Sequence, residues 1–203
     1  MATFSSLASM VCLPSVSNKS KASLVSQGGF FVDLYYLLTL SKVNTMADTG
    51  AILGFDIGGA NIKVATSDGH YVHSVPFPMW RSQNQLGTQI SSLIAEFRKA
   101  HENPRALALT MTGELADSFN SKRDGVISIC NAVTEGAADI ETILCYETGG
   151  RWCRTDEADN RWAKLAASNW HAMAHHCSQL LSKGTHILID VGTTTTDILP
   201  LAE

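Results

Sequence analysis

Two aspartates each close a short apolar run and are each followed by small residues: Asp56-Ile57-Gly58-Gly59-Ala60-Asn61, and Asp190-Val191-Gly192-Thr193-Thr194-Thr195-Thr196-Asp197. Small residues let successive backbone N–H groups turn towards one point, and threonine hydroxyls add donors, so each segment can cradle phosphate oxygens without a lysine. Gly58, Gly59 and Asn61 are the candidate phosphate contacts of the first loop, and Gly192, Thr193, Thr194 and Thr195 those of the second. A carboxylate touching phosphate would repel it. Asp56 and Asp190 are therefore expected to hold Mg2+, largely through water, with the ion bridging carboxylate and phosphate. The competing reading is a pair of ordinary tight turns, for which Asp and Gly are common choices. Repetition of the pattern between apolar runs favours phosphate, and a phosphorylated small molecule is the expected partner.

The surrounding pattern says what must position these loops. Residues 51–55 and 62–66 read as two strands of a hairpin around the first loop, and 186–191 with 197–201 read as the same design around the second. Leu86, Ile90, Leu93, Ile94 and Phe97 recur at helical spacing, predicting an amphipathic helix over 86–101 that Asn103-Pro104 closes. Residues 106–111 read as a buried strand, and 125–137 as an apolar segment that fits either element, with a helix preferred over a strand. Residues 157–183 read as one long helix, with Trp162, Leu165, Ala166, Trp170, Met173, Ala174, Cys177, Leu180 and Leu181 on its apolar stripe and Lys183-Gly184 at its end. Alternating strands and helices indicate an α/β fold with a sheet covered on both faces.

On the long helix, the spacing of His171 and His175 would set both imidazoles on one face beside His176 and Cys177. No His-Glu-x-x-His pattern accompanies them, and a polar helix face beside a substrate cleft is the preferred reading. Asn169 and His171 are candidate cleft residues; Trp170 either joins them or belongs to the core.

Composition narrows the partners. The chain has 203 residues, 45% of them hydrophobic and 17% charged, with a formal net charge of -4 and no basic cluster, which argues against nucleic acid or an anionic membrane as partner. Five cysteines without a C-x-x-C pair suggest no disulfide framework, so a reducing, cytoplasmic setting is expected. Residues 1–45 differ from the rest. They are serine-rich at first, lack arginine throughout, and contain an apolar stretch over 29–40 that is too short to span a bilayer. They are expected to be disordered, either a leader or sequence upstream of a start at Met46, with the Met46 start preferred.

The repeated hairpin resembles the actin-like ATPase superfamily, whose two similar domains each begin with a ribonuclease H-like sheet and each offer one phosphate loop. The second loop is similar to that of the hydantoinase/oxoprolinase family. Several segments resemble the tetrahydromethanopterin-linked one-carbon pathway group of that family: residues 54–63, Met79-Trp80-Arg81, Thr112-Gly113-Glu114-Leu115-Ala116-Asp117 and Ser168-Asn169-Trp170-His171. That group includes synthases of methanofuran precursors, which join a furanylmethyl diphosphate to gamma-glutamyltyramine and release diphosphate. The resemblance spans residues 51–201 and implies a first ribonuclease H-like domain over 46–184 and a second only begun over 185–203.

It implies a transferase that releases diphosphate, the alternatives being an ATP-dependent hydrolase, for which ATP would be a cofactor, and an inactive binding fragment. For the transfer, Lys63 and Arg81 are candidate cations for the diphosphate, and Glu114 or Asp117 candidate general bases. The competing readings, of equal weight, make Lys63 a solvent-facing strand residue and Glu114 and Asp117 the acidic start of a helix. The apolar faces at Ile189 and Ile198 are expected to be exposed or covered by another polypeptide that completes the second lobe.

Overall fold

Ile52–Ile57 (β3) is buried along its whole length because it is hydrogen-bonded on both edges and covered on both faces. It pairs antiparallel with Asn61–Thr66 (β4), which pairs antiparallel with Val72–Pro76 (β5). On its other edge β3 runs parallel to Ala106–Met111 (β6), which is parallel to Thr142–Glu147 (β7), and Arg151–Arg154 (β8) closes that edge antiparallel. The sheet order is β5-β4-β3-β6-β7-β8, a meander continued by crossovers, as the α/β, ribonuclease H-like expectation requires. The computed structural model describes residues 9–14, 23–26, 50–66, 69–181, 183–191 and 196–201. The second loop's Gly192, Thr193, Thr194 and Thr195, the stretch over 29–40 and Met46 lie outside them.

The expected amphipathic helix spans Leu86–Phe97 (α2), after a short helix Met79–Ser82 (α1), and buries Leu86, Ile90, Leu93, Ile94 and Phe97. It stops short of His101, whose Nδ1 lies 3.0 Å from the Phe97 carbonyl. Helix Lys122–Gly136 (α3) covers the expected 125–137 segment and begins where the Ser121 hydroxyl accepts the Asp124 N–H at 3.1 Å. Gly87 and Gly136 let α2 and α3 approach backbone to backbone: a Cβ on Gly136 would strike the Gly87 carbonyl.

The single helix expected over 157–183 is two helices, Ala158–Leu165 (α4) and Ser168–Leu180 (α5). Between them Ala167 takes φ 50°, a left-handed conformation that breaks the ladder. Its N–H bonds not to an i−4 carbonyl but to the Glu114 carboxylate at 2.7 Å. A tertiary acceptor has overridden a sequence that is alanine-rich and helix-favouring.

His186–Val191 (β9) and Thr196–Leu201 (β10) form the second hairpin. Met173 and Cys177 of α5 pack on Leu188 and Leu201 of that hairpin, while Ile187 and Ile198 are exposed and Ile189 is half-buried. No regular element was expected before residue 46, yet two short strands occur there. Ser9–Pro14 (β1) lies antiparallel along the free edge of β9, and Ser23–Ser26 (β2) beside it, giving the order β10-β9-β1-β2. An apolar strand with unpaired edge groups is a template for such pairing.

Candidate functional site

The two hairpins share a register. Asp56 sits directly across from Lys63 in the first and Asp190 directly across from Asp197 in the second, so residues seven apart face each other in both. Lys63 Nζ lies 3.4 Å from Asp56 Oδ2, with both side chains mostly buried, so Lys63 is not a solvent-facing residue. Burial raises the Asp190 carboxyl above the usual carboxylate range; Lys63 lowers it, and Asp197 and Asp56 add to the rise. The carboxylates of both hairpins and the ammonium of the first are thus one electrostatic cluster. Asp197 carries no role in the phosphate-loop expectation. The shared seven-residue spacing was the signal that would have found it.

Three carboxylates against one ammonium leave the cluster in negative excess, and Asp190 opposite Asp197 is a like-charge pair that a counter-ion would relieve. Asp56 Oδ1 is buried with no hydrogen-bond partner. Carboxylate oxygens are the ligand type that hard divalent cations take. Among the described residues no three His, Cys, Asp or Glu side chains are gathered to hold a metal by themselves, the helical histidines included.

The first loop is both a tight turn and an opening. Gly58 donates its N–H to the Asn61 carbonyl at 3.0 Å, so that donor closes the turn. The Gly59 and Ala60 carbonyls accept the N–H groups of Met79 and Phe77, at 2.9 and 2.8 Å, which takes two groups that would repel an anion out of its way. A Cβ on Gly59 would meet nothing within 4 Å, so the loop faces open space there. Arg81, at the end of the short helix that follows, is exposed.

Behind the loop, Thr112 N–H donates to the Ile57 carbonyl, and Gly113 comes so close that a Cβ would lie 3.0 Å from the Ile57 and Gly58 carbonyls. Glu114, on the 3-10 turn Gly113–Leu115, is buried to 1% exposure rather than solvated, packed against Gly125 of α3, where a Cβ would come within 2.8 Å of it. Burial raises its carboxyl above the usual range; the Ala167 and Glu114 N–H groups and Lys122 lower it, and Asp56 raises it. Oε1 is engaged with Ala167, and Oε2 is buried without a partner. Asp117, three residues on, is exposed.

At the start of α5, the Ser168 hydroxyl accepts the Met111 N–H at 3.4 Å, and Asn169 keeps a buried Oδ1 with no partner. His171 is engaged elsewhere: its Nε2 accepts the Gly149 N–H at 3.2 Å, and its Nδ1 lies 3.1 Å from the Tyr146 hydroxyl. Those contacts fix it as a pin between α5 and the β7–β8 turn. A groove of about 950 Å3 between α2 and α3 is lined by Thr88, Ser91, Ser128 and Asn131 with Asp124 and Glu135, and carries no lysine or arginine. Without a cation it suits phosphate poorly.

A ribonuclease H-like α/β sheet with a second hairpin of the same register defines an actin-like ATPase-type fold. Residues 105–203 match the sequence model of the hydantoinase/oxoprolinase family. A curated relative, the (4-{4-[2-(gamma-L-glutamylamino)ethyl]phenoxymethyl}furan-2-yl)methanamine synthase of Methanocaldococcus jannaschii, is 35% identical over 154 residues, which are 75% of this chain and 44% of the relative. The chain therefore spans less than half the length of the curated relative it matches. No helix among the described residues is long and apolar enough to cross a membrane.

Proposed function

We propose that this chain holds the diphosphate end of a small molecule at the junction of its two hairpins, as part of a diphosphate-releasing transferase of methanofuran-type, tetrahydromethanopterin-linked one-carbon cofactor synthesis. The carrying observation is the shared cluster of Asp56, Lys63, Asp190 and Asp197, in which carboxylates in excess invite a divalent cation and Lys63 supplies a positive group beside it. The relative's name describes a product in which a phenoxy oxygen is joined to a methyl carbon on a furan. Forming that ether from an arylmethyl diphosphate breaks the bond between carbon and diphosphate oxygen, makes the bond between carbon and phenol oxygen, and frees the phenol proton.

In this chain Lys63 and Arg81 would draw the leaving diphosphate, and the N–H groups of the two loops would orient it. Mg2+, when bound by Asp56 and Asp190, would neutralise the departing charge. Asp117, exposed on the turn after β6, is assigned the phenol proton. Glu114 positions α5: one carboxylate oxygen holds the Ala167 N–H, and the whole side chain is buried.

The family match favours one second reading, an ATP-dependent hydrolase of hydantoinase/oxoprolinase type. Titration calorimetry with Mg2+ separates the two, using Asp190→Ala as control. Tighter binding of diphosphate than of ATP, abolished in the variant, is the expected result. Preference for ATP would transfer the assignment to the hydrolase, and binding of neither would sink both.

A further inference from the structure

Three of the chain's five cysteines converge in its interior. Cys130 stands mid-helix on α3, Cys145 on β7 and Cys153 on β8, and all three are buried free thiols. Cys130 Sγ lies 3.7 Å from Cys145 Sγ, and Cys145 is also hydrogen-bonded to Cys153. Cys145 and Cys153 sit directly across from each other in the antiparallel β7–β8 pair. Residues so placed have Cα atoms about 4.5–5.5 Å apart, inside the span of about 4.4–6.8 Å that a disulfide bridges. Cys130, on a helix, shares no backbone register with either strand.

The three thiols differ in how an oxidant reaches them. β8 is a four-residue strand at the end of the sheet, and Cys153 is its one buried position, whereas Cys130 and Cys145 lie inside longer elements with neighbours on both sides. A short edge strand opens at lower free energy than the centre of a sheet, so fraying of β8 uncovers Cys153 first. The hydrogen bond from Cys145 lowers the Cys153 pKa, with Arg161 assisting against burial and the Glu147 and Glu157 carboxylates, and the thiolate is the form that reacts.

We infer that Cys145 and Cys153 are a modification site, which hydrogen peroxide converts to a reversible cross-strand disulfide with Cys153 as the first sulfur oxidised. The Cys153 thiolate takes an oxygen from the peroxide: its S–O bond forms as the O–O bond breaks, and hydroxide leaves. The Cys145 thiol then gives up its proton and attacks the Cys153 sulfur, forming the S–S bond and expelling that oxygen as water. Two thiols and one peroxide thus become one disulfide and two waters. The bond staples the hairpin whose turn holds α5 through the Gly149 N–H and His171. Nothing in this chemistry depends on the phosphate site.

The test treats the full 203-residue chain with hydrogen peroxide, folded and in urea, and digests it with trypsin without reductant before mass spectrometry. Cleavage after Arg123, Arg151 and Arg154 puts Cys130 and Cys145 on one peptide and Cys153 on another. The folded chain should yield residues 124–151 joined to 152–154, with fragmentation placing the link at Cys145, and dithiothreitol should undo it. Cys153→Ala should leave Cys130 and Cys145 reduced under the same treatment. A link from Cys153 to Cys130, or a Cys130–Cys145 link in the wild type or in Cys153→Ala, overturns the inference. The same mixture of pairs from folded and urea-unfolded chain overturns it too, because register would then select nothing. So does a folded wild type in which Cys153 stays reduced or stops at the sulfinic acid, a result that needs no variant to fold.

Discussion

Replacing Glu114 separates what its shape contributes from what its charge costs. In Glu114→Ala the Ala167 N–H loses its acceptor at 2.7 Å, and a strained left-handed residue at the start of α5 is left without the bond that holds it. A hydrogen bond to a charged acceptor is worth about 1.5–3 kcal/mol, so a loss of about 2 kcal/mol is expected at pH 7. With a urea slope of about 2 kcal/mol per molar, the midpoint should fall by about 1 M. Glu114→Gln keeps the acceptor oxygen and the volume while removing the charge. Because burial raises the folded-state pKa, the folded protein holds the proton more tightly than the unfolded chain. Wild-type stability therefore declines as pH rises from the unfolded value through the folded one, and the cost is fully present above that window. Glu114→Gln should match or exceed the wild type at pH 8 and lose that decline. Urea melts of the three proteins at pH 5 and pH 8 check both claims. If Gln proves as damaging as Ala at pH 8, or Ala costs nothing, the carboxylate is not the pin described.

Two further outcomes follow from the packing. Gly136→Ala should destabilise the chain by about 2 kcal/mol in urea melts, because its Cβ would strike the Gly87 carbonyl where α2 and α3 cross, although alanine gains up to about 1 kcal/mol in helix propensity. Burial, with His175 adding to it, lowers the His176 pKa to about 4, so as pH falls from about 6.5 towards 4 the unfolded chain takes a proton that the folded one refuses. Stability should drop by about 1.4 kcal/mol per pH unit through the middle of that window, and His176→Gln should flatten the drop in pH-resolved thermal melts.

Both hairpins were legible in the sequence because their period and their aspartates lie within a dozen residues, and α2 because five buried side chains repeat at helical spacing. The break at Ala167 was not, since its cause lies 53 residues earlier in Glu114. β5, β7 and β8 escaped for a related reason. β5 is a half-exposed edge strand of mixed polarity, β8 is an edge strand with an arginine at each end, and β7 ends in Glu147, buried at 1% where Arg161 of α4 reaches it at 2.8 Å. The stripe that suggested a core role for Trp170 included positions that the break rotates, and the indole ends at the surface. Of the expected site residues, Lys63 gained a partner across its own hairpin, which register alone could have given. His171 was drawn to Gly149 and Tyr146, which only the tertiary structure could give.

The break also explains how two hairpins far apart in sequence meet. α5 touches the first sheet through Ser168 at Met111 and through Ala172 beside Tyr146, and the second through Met173 and Cys177 on Leu188 and Leu201. One short helix is therefore the joint between the carboxylate at the end of β3 and the carboxylate at the end of β9. A continuous helix from 157 would keep the axis of α4 and carry Leu188, and with it Asp190, away from Asp56. Glu114 sets the start of α5 from the same turn that backs the first loop, so loop, joint and second hairpin share one support. On this geometry a loosened Glu114–Ala167 bond should weaken coupling between Lys63 and Asp190 before it disturbs the first sheet. The Glu114 carboxylate, buried at 1% exposure, holds α5 through its acceptor oxygen, while its buried charge costs stability.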